Sequence, residues 1–177
     1  MISRASRKGI IREVLELDTV DSTNAYALDA GRVGLLVVAS RQTNGRGRQG
    51  RTWFSPVAEN IYMTLNVGST DPRLTIVTGV AVHEAVSALL EGRGSPEIKW
   101  PNDLIIGNRK LCGILGEARG GMTAVGIGLN VNGEKWPPEL QGRAVSLSGV
   151  LGSPLDRDQV LGDLVLALEK WFAIFSE

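Results

Sequence analysis

The stretch Leu104-Ile105-Ile106-Gly107-Asn108-Arg109-Lys110-Leu111-Cys112-Gly113-Ile114-Leu115 decides the fold class. Two aliphatic runs, residues 104–106 and 110–115, flank a Gly107-Asn108 pair. A pair of that kind closes a tight hairpin, because both residues tolerate the positive φ that matches strand twist. Parallel neighbours would need a crossover of a dozen residues or more. The hairpin therefore argues against a strict alternation of parallel units. Downstream, residues 123–131 read as a strand in which Gly126 and Gly128 remove side chains from one face. Asp156 followed by Gln159 resembles a capping box for a helix ending at Phe175, with a stripe of Val160, Leu161, Leu164, Val165, Leu168, Trp171, Phe172 and Phe175. Upstream, Leu74, Val77, Ala81, Val82, Ala85, Ala88 and Leu89 recur at helical spacing up to Gly92, after a turn at residues 68–72. Residues 61–67 alternate and predict a half-buried strand, with Ile61, Met63, Leu65 and Val67 inward and Tyr62, Thr64 and Asn66 outward. Residues 35–40 read as a strand buried on both faces, and residues 9–17 as a first strand. Asp21 or Ser22 caps a short helix over residues 24–30 that Gly31 stops. The class is α+β: a mixed β-sheet covered by helices.

Composition bounds what such a chain does. Its 177 residues fit one domain, and 43% hydrophobic with 21% charged residues allow an ordinary core. Nineteen Lys plus Arg balance nineteen Asp plus Glu, so no global charge draws it to nucleic acid or an anionic membrane. A single cysteine, Cys112, leaves neither an intramolecular disulfide nor a thiolate cluster. Residues 1–8 are basic, but Arg12, Glu13 and Glu16 interrupt the run that follows, so no signal-peptide pattern is present. No apolar run reaches the roughly 20 residues of a membrane span. The expectation is a soluble, cytoplasmic protein.

Against this neutral background one segment is biased. From residue 30 to 58 there is no acid, yet Arg32, Arg41, Arg46, Arg48 and Arg51 all fall there. Its centre is Gly45-Arg46-Gly47-Arg48-Gln49-Gly50-Arg51, directly after a buried strand. Converging backbone N–H groups and guanidinium forks suit phosphate or carboxylate. Gly45, Gly47 and Gly50 also satisfy the dinucleotide fingerprint, and the same residues read as a P-loop with Arg51 in the lysine position. Both motifs must open a helix, and Thr52-Trp53-Phe54-Ser55-Pro56 follows instead. The remaining readings are a solvated arginine loop or an RNA-binding segment, the latter lacking interleaved aromatics. A second cluster, Lys99-Trp100-Pro101-Asn102-Asp103, places a carboxylate that could hold Mg²⁺ on a nucleotide, or simply a strand end and turn. Lys110, taken alone, is an exposed lysine beside a turn. His83 has no catalytic partner in sequence and reads as structural.

Five blocks in order resemble the catalytic domain of the biotin protein ligases, the biotin-[acetyl-CoA-carboxylase] ligases. They are Asp21-Ser22-Thr23-Asn24; Gln42 with Gly45 to Trp53; Lys99 to Leu104; Arg109 to Leu115; and Gly126-Ile127-Gly128-Leu129-Asn130. The resemblance covers roughly residues 15–150. It implies a biotin/lipoate ligase type of fold, class II synthetase-like, with residues 1–177 forming the catalytic domain. The family's N-terminal helix-turn-helix and C-terminal β-barrel are expected to be absent. It also implies the chemistry: ATP activates biotin to biotinyl-5′-AMP, and a lysine of the biotin carboxyl carrier protein of acetyl-CoA carboxylase takes the biotinyl group. Cofactors are then ATP, biotin and Mg²⁺. No DNA and no membrane are expected as partners, and a homodimer stays open.

The resemblance also distributes roles. Arg48 and Lys110 are the catalytic residues. Ser22, Thr23, Asn24, Gln42, Gly45, Arg46, Gly47, Arg48 and Lys110 bind biotin, with Gly113, Gly126 and Gly128 as a flat wall beneath it. Arg46, Arg48, Arg51, Trp53, Asn102 and Asn130 serve ATP, Trp53 by stacking on adenine, and Asp103 serves the metal. The competing readings are a truncated module that binds biotin or its adenylate but transfers weakly, a lipoate ligase-like enzyme, and a nucleic-acid binder.

Overall fold

The computed structural model describes residues 9–57 and 59–176; the basic opening segment, residues 1–8, lies outside them. Strands β1 (Glu13–Val20), β2 (Leu35–Gln42), β3 (Ile61–Val67), β4 (Glu97–Lys99), β5 (Asp103–Ile106), β6 (Arg109–Arg119) and β7 (Met122–Leu129) join helices α1 (Thr23–Ala30), α2 (Leu74–Leu90), α3 (Leu147–Leu151) and α4 (Arg157–Phe175). The strands form one seven-stranded sheet in the order β1-β2-β3-β7-β6-β5-β4. Only β1 and β2 run parallel, joined through α1; every other neighbouring pair is antiparallel. The sheet is mixed, as the hairpin requires, and Gly107 and Asn108 carry its turn at φ 54° and 64°.

Strand alternation sorts the two faces. Ile61, Met63 and Leu65 of β3, Val125, Ile127 and Leu129 of β7, and Cys112 and Ile114 of β6 join the apolar faces of α2 and α4 in the main core. Helix α4 starts as its capping signal predicts, with the Asp156 carboxylate accepting from the N–H groups of Asp158 and Gln159. On the opposite face α1 lies over β2, β3 and β7, where Ala27, Leu35, Val37 and Ala124 form a smaller core. Ser22, rather than Asp21, caps α1 by accepting from Ala25 N–H. No helix of the described residues is long and apolar enough to cross a membrane.

Two expectations need correction. The first strand is Glu13–Val20, not residues 9–17, because the N–H groups of Ile10 and Ile11 donate instead to the Glu169 carboxylate of α4 at 2.9 and 3.0 Å. β3 is buried along its whole length and not half-buried: α1 covers the face bearing Tyr62, Thr64 and Asn66. The short β4 and α3 carry too few residues for a periodic signal. His83 is structural as expected, with its ring Nε2 3.1 Å from the Pro96 carbonyl.

Cys112 is fully buried in β6, and burial pushes its thiol far above the usual range, so little thiolate forms near neutrality. A disulfide reagent should therefore label the native protein at least about tenfold more slowly than the denaturant-unfolded chain. Equal rates would show that this strand does not shield the thiol.

Candidate active site

The site is built on the α1 face where β6 and β7 pair. Gly113 stands opposite Gly128 and Leu115 opposite Gly126, so three of these four positions lack a side chain. Around this strip lies a polar cage. Thr64 of β3 approaches Asn24 Oδ1 at 2.6 Å and Thr23 Oγ1 at 2.8 Å. Asn24 Nδ2 donates to the Leu115 carbonyl and to Glu117 Oε2, at 3.2 and 2.8 Å. The Thr23 N–H and hydroxyl both donate to Gln42 Oε1, and Gln42 Nε2 donates to Ser55 Oγ at 3.0 Å. Thr23, Asn24 and Thr64 are almost fully buried, which is tolerable because each side chain has partners. Together they offer both donors and acceptors to a polar ring.

Residues 43–56 close over the strip. The loop is cinched at its neck by Trp53 N–H donating to the Gly45 carbonyl at 2.9 Å and by Gly47 N–H donating to the Arg51 carbonyl at 2.7 Å. No room exists there for a side chain: a Cβ on Gly45 would stand 2.6 Å from the Trp53 carbonyl oxygen. Only a single 3₁₀ turn, Arg48–Gly50, follows the glycines, so neither a dinucleotide fingerprint nor a P-loop is formed. Two arginines bind the loop to the sheet. Arg46 lies 3.5 Å from Glu117, and Arg48 donates to Asn102 Oδ1 at 3.1 Å. Tyr62 anchors the far end, its hydroxyl donating to the Pro56 carbonyl at 3.0 Å, and burial raises its pKa far enough to keep it a donor.

The glycine wall is covered. The Trp53 indole covers Gly113 and Gly128, where an added Cβ would meet a ring atom at 2.8 Å on Gly113 and closer still on Gly128, while the Asn24 amide covers Gly126. Trp53 Nε1 is buried without a hydrogen-bond partner, and Lys110 Nζ lies 5.2 Å from the ring centroid. The cavity left between wall and loop is about 50 Å³. That is below the roughly 300 Å³ at which small-molecule pockets begin. Beside it opens a cleft of about 480 Å³, bordered by Arg48, Arg51, Lys99, Lys110 and Arg143 with Asp103 as its one carboxylate. Five cations against one anion in a neutral chain make this a local anion site.

The structure brings most of the expected residues to these two cavities, with Ser22, Thr23, Asn24, Gln42, Arg46, Gly113, Gly126 and Gly128 at the smaller, Arg51 and Asn130 at the larger, Gly47 at both, and Gly45 at neither but at the neck of the loop. Arg48, Trp53, Asn102 and Lys110 border both. Asn130, expected at the nucleotide, borders the larger cavity and has a structural duty as well. It is buried, and its Nδ2 donates to the carbonyls of Lys110 and Val145 at 3.3 and 3.1 Å, fixing the strand that carries Lys110. Asp103 Oδ1 lies 2.7 Å from Lys110 Nζ as a charge pair without hydrogen-bond alignment. Among the described residues no group of three or more His, Cys, Asp or Glu could hold a metal. The donor set does fit Mg²⁺ carried in on a nucleotide, for which one carboxylate and phosphate oxygens suffice. Sequence reasoning missed Thr64, Ser55, Glu117, Trp136 and Arg143. Only Thr64 left a trace, as the centre of a polar face read as solvent-exposed.

A model of the Biotin/lipoate A/B protein ligase family matches residues 17–134. The chain is 38% identical over 169 residues to the bifunctional ligase/repressor BirA of Bacillus spizizenii, covering 86% of this chain and 51% of that protein. It is 32% identical over 169 residues to the biotin--[acetyl-CoA-carboxylase] ligase of Mycobacterium tuberculosis, covering 87% of this chain and 63% of that one. The chain thus spans about half the length of the first of these relatives. Among solved structures it superposes on the biotin protein ligase of Aquifex aeolicus in complex with biotin and ATP with a TM-score of 0.84, at 33% identity, covering 93% of this chain and 72% of that one. The expected α+β catalytic-domain fold is therefore observed.

A ligand that lies on the Gly113–Gly128 strip must expel the indole. Biotin, the ligand implied by the resemblance, should therefore change tryptophan emission, and Trp53→Phe should abolish the change while calorimetry still detects binding. An unaltered emission change in Trp53→Phe would contradict the displacement.

Proposed function

Because the chain belongs to the biotin/lipoate A/B protein ligase family, we propose that it joins biotin to ATP, forms biotinyl-5′-AMP, and passes the biotinyl group to a carrier-protein lysine. The observation that carries this reading is the pairing of two cavities. One is small and lined by amides and hydroxyls; the other is larger and bordered by five cationic side chains. A carboxylate approaching a polyphosphate meets repulsion of roughly 4 kcal/mol for unit charges 4 Å apart at an effective dielectric near 20. Arg48 and Lys110 border both cavities and stand where the two anions would meet. Fixed donors at such a point stabilise developing charge by about 3–4 kcal/mol each.

In the first step a biotin carboxylate oxygen bonds to the α-phosphorus of ATP as the bond to pyrophosphate breaks. In the second, a neutral lysine amine of the carrier attacks the acyl carbon, AMP leaves, and the nitrogen gives up a proton. No protein nucleophile is required. Lys110 supplies a positive charge to both steps, held at the cleft by its contact with Asp103 and by the Asn130 clamp on its strand. Mg²⁺ bound with ATP neutralises phosphate charge, and Asp103 is the carboxylate that would hold it. Arg48, held by Asn102 across the cleft mouth, retains the adenylate. Trp53, once off the strip, is free to stack on the adenine. The acceptor in this reading is a biotin carboxyl carrier domain.

The polar cage favours biotin over lipoate within the family. A ureido ring can exchange hydrogen bonds with the donors and acceptors of Thr23, Asn24, Gln42 and Thr64, whereas a dithiolane could replace none of the bonds it displaced. Incorporation of labelled pyrophosphate into ATP should depend on biotin and resist competition by lipoate. No exchange would reduce the protein to a binding module, and preferential stimulation by lipoate would reverse the substrate. Lys110→Ala should lower exchange about 100- to 1,000-fold while biotin affinity changes much less; equal losses would mean Lys110 serves binding alone.

A further inference from the structure

Glu117 lies in β6, opposite Ala124 of β7 and on the face that carries the glycine strip. Its two carboxylate oxygens reach two different elements. Oε2 accepts from the Asn24 side chain at the start of α1, at 2.8 Å, and Oε1 lies 3.5 Å from the Arg46 guanidinium in the closed loop. Resting on the functional reading above, we propose that Glu117 is a positioning residue that couples the biotin head-group pocket to closure of the arginine loop.

The first half of the coupling is directional. A carboxylate only accepts, so it fixes Asn24 with its nitrogen toward β6 and its carbonyl toward Thr64. Asn24 thereby joins a chain of polar contacts that runs through Thr64, Thr23, Gln42 and Ser55 to the Trp53 carbonyl. The second half is ionic. Residues 30–58 contain no acid, and among the described residues Glu117 is the counter-ion that Arg46 finds. Both side chains remain partly exposed, at 43% and 30%, so the pair is weak enough to open for ligand entry. One carboxylate thus orients an amide below the ligand and draws down the loop above it.

The two halves separate by substitution. Glu117→Gln keeps an oxygen for Asn24 but loses the charge that holds Arg46, whereas Glu117→Ala loses both. In the ligand-free protein, Glu117→Gln should speed hydrogen exchange at the Gly47 and Trp53 amides about two- to fivefold, and should speed release of biotinyl-5′-AMP by a similar factor. Biotin affinity should move less than release does. Glu117→Ala should in addition weaken biotin about tenfold. In an Arg46→Met background, Glu117→Gln should change loop exchange no further. Loop exchange unchanged by Glu117→Gln, or an effect undiminished in the Arg46→Met background, would overturn the proposal. Absence of biotin binding in the unaltered protein would instead remove the functional reading, and the ligand-free exchange rates would then decide the role of Glu117 alone.

Discussion

The constraint on which the site depends is a gap in the sheet surface. Gly113 and Gly128 face each other across the β6–β7 ladder, leaving bare backbone on the face that α1 and the arginine loop cover. A planar group can then approach the strands to van der Waals distance, and in the ligand-free protein the Trp53 indole does so. On the opposite face the neighbouring residues, Ile114, Ile127 and Leu129, are packed core side chains that hold the strands rigid. The two strands therefore supply the rigid floor, and the loop of residues 43–56 that follows β2 supplies the cover.

Charge is organised on the same plan. The chain is neutral overall, yet five of its arginines fall in a segment without acids, so those that are paired find their partners outside it. Arg46 meets Glu117, Arg48 meets Asn102, and Lys110 meets Asp103. The two ion pairs among these are partly exposed and contribute only about 0–1 kcal/mol each. The Arg46 and Arg48 contacts hold the loop over the cleft without locking it, and an incoming carboxylate or phosphate can exchange with them at little net cost. The unpartnered Trp53 Nε1 fits the same picture of a cover in a temporary seat.

Much of this was legible in the sequence because it depends on short-range chemistry. The Gly107-Asn108 pair fixed the hairpin through its turn conformation, and the run of loop arginines stood out against a neutral composition. Residues 61–67 show where pattern reading ends. Alternation correctly separated Thr64 from Met63, but whether the polar face meets water or a helix is a tertiary fact set by α1. The polar cage was hidden for that reason. Asn130 carries a motif position yet spends its amide on the Lys110 and Val145 carbonyls, which no spacing reveals. Trp53 was expected on adenine; its resting place on the strip follows from loop closure rather than from its neighbours in sequence.

The account stands or falls on the strip being the floor of the ligand site. Calorimetric titration of biotin into Gly128→Ala measures this most directly, since the added Cβ points at the ligand face and not into the main core. The same Cβ would press on the Trp53 indole, which can leave with its loop, so the thermal midpoint of the free protein should fall only modestly; a ligand held against the strands cannot yield, and overpacking of about 1–3 kcal/mol should lower affinity about tenfold or more. Undiminished biotin affinity in Gly128→Ala would contradict the account.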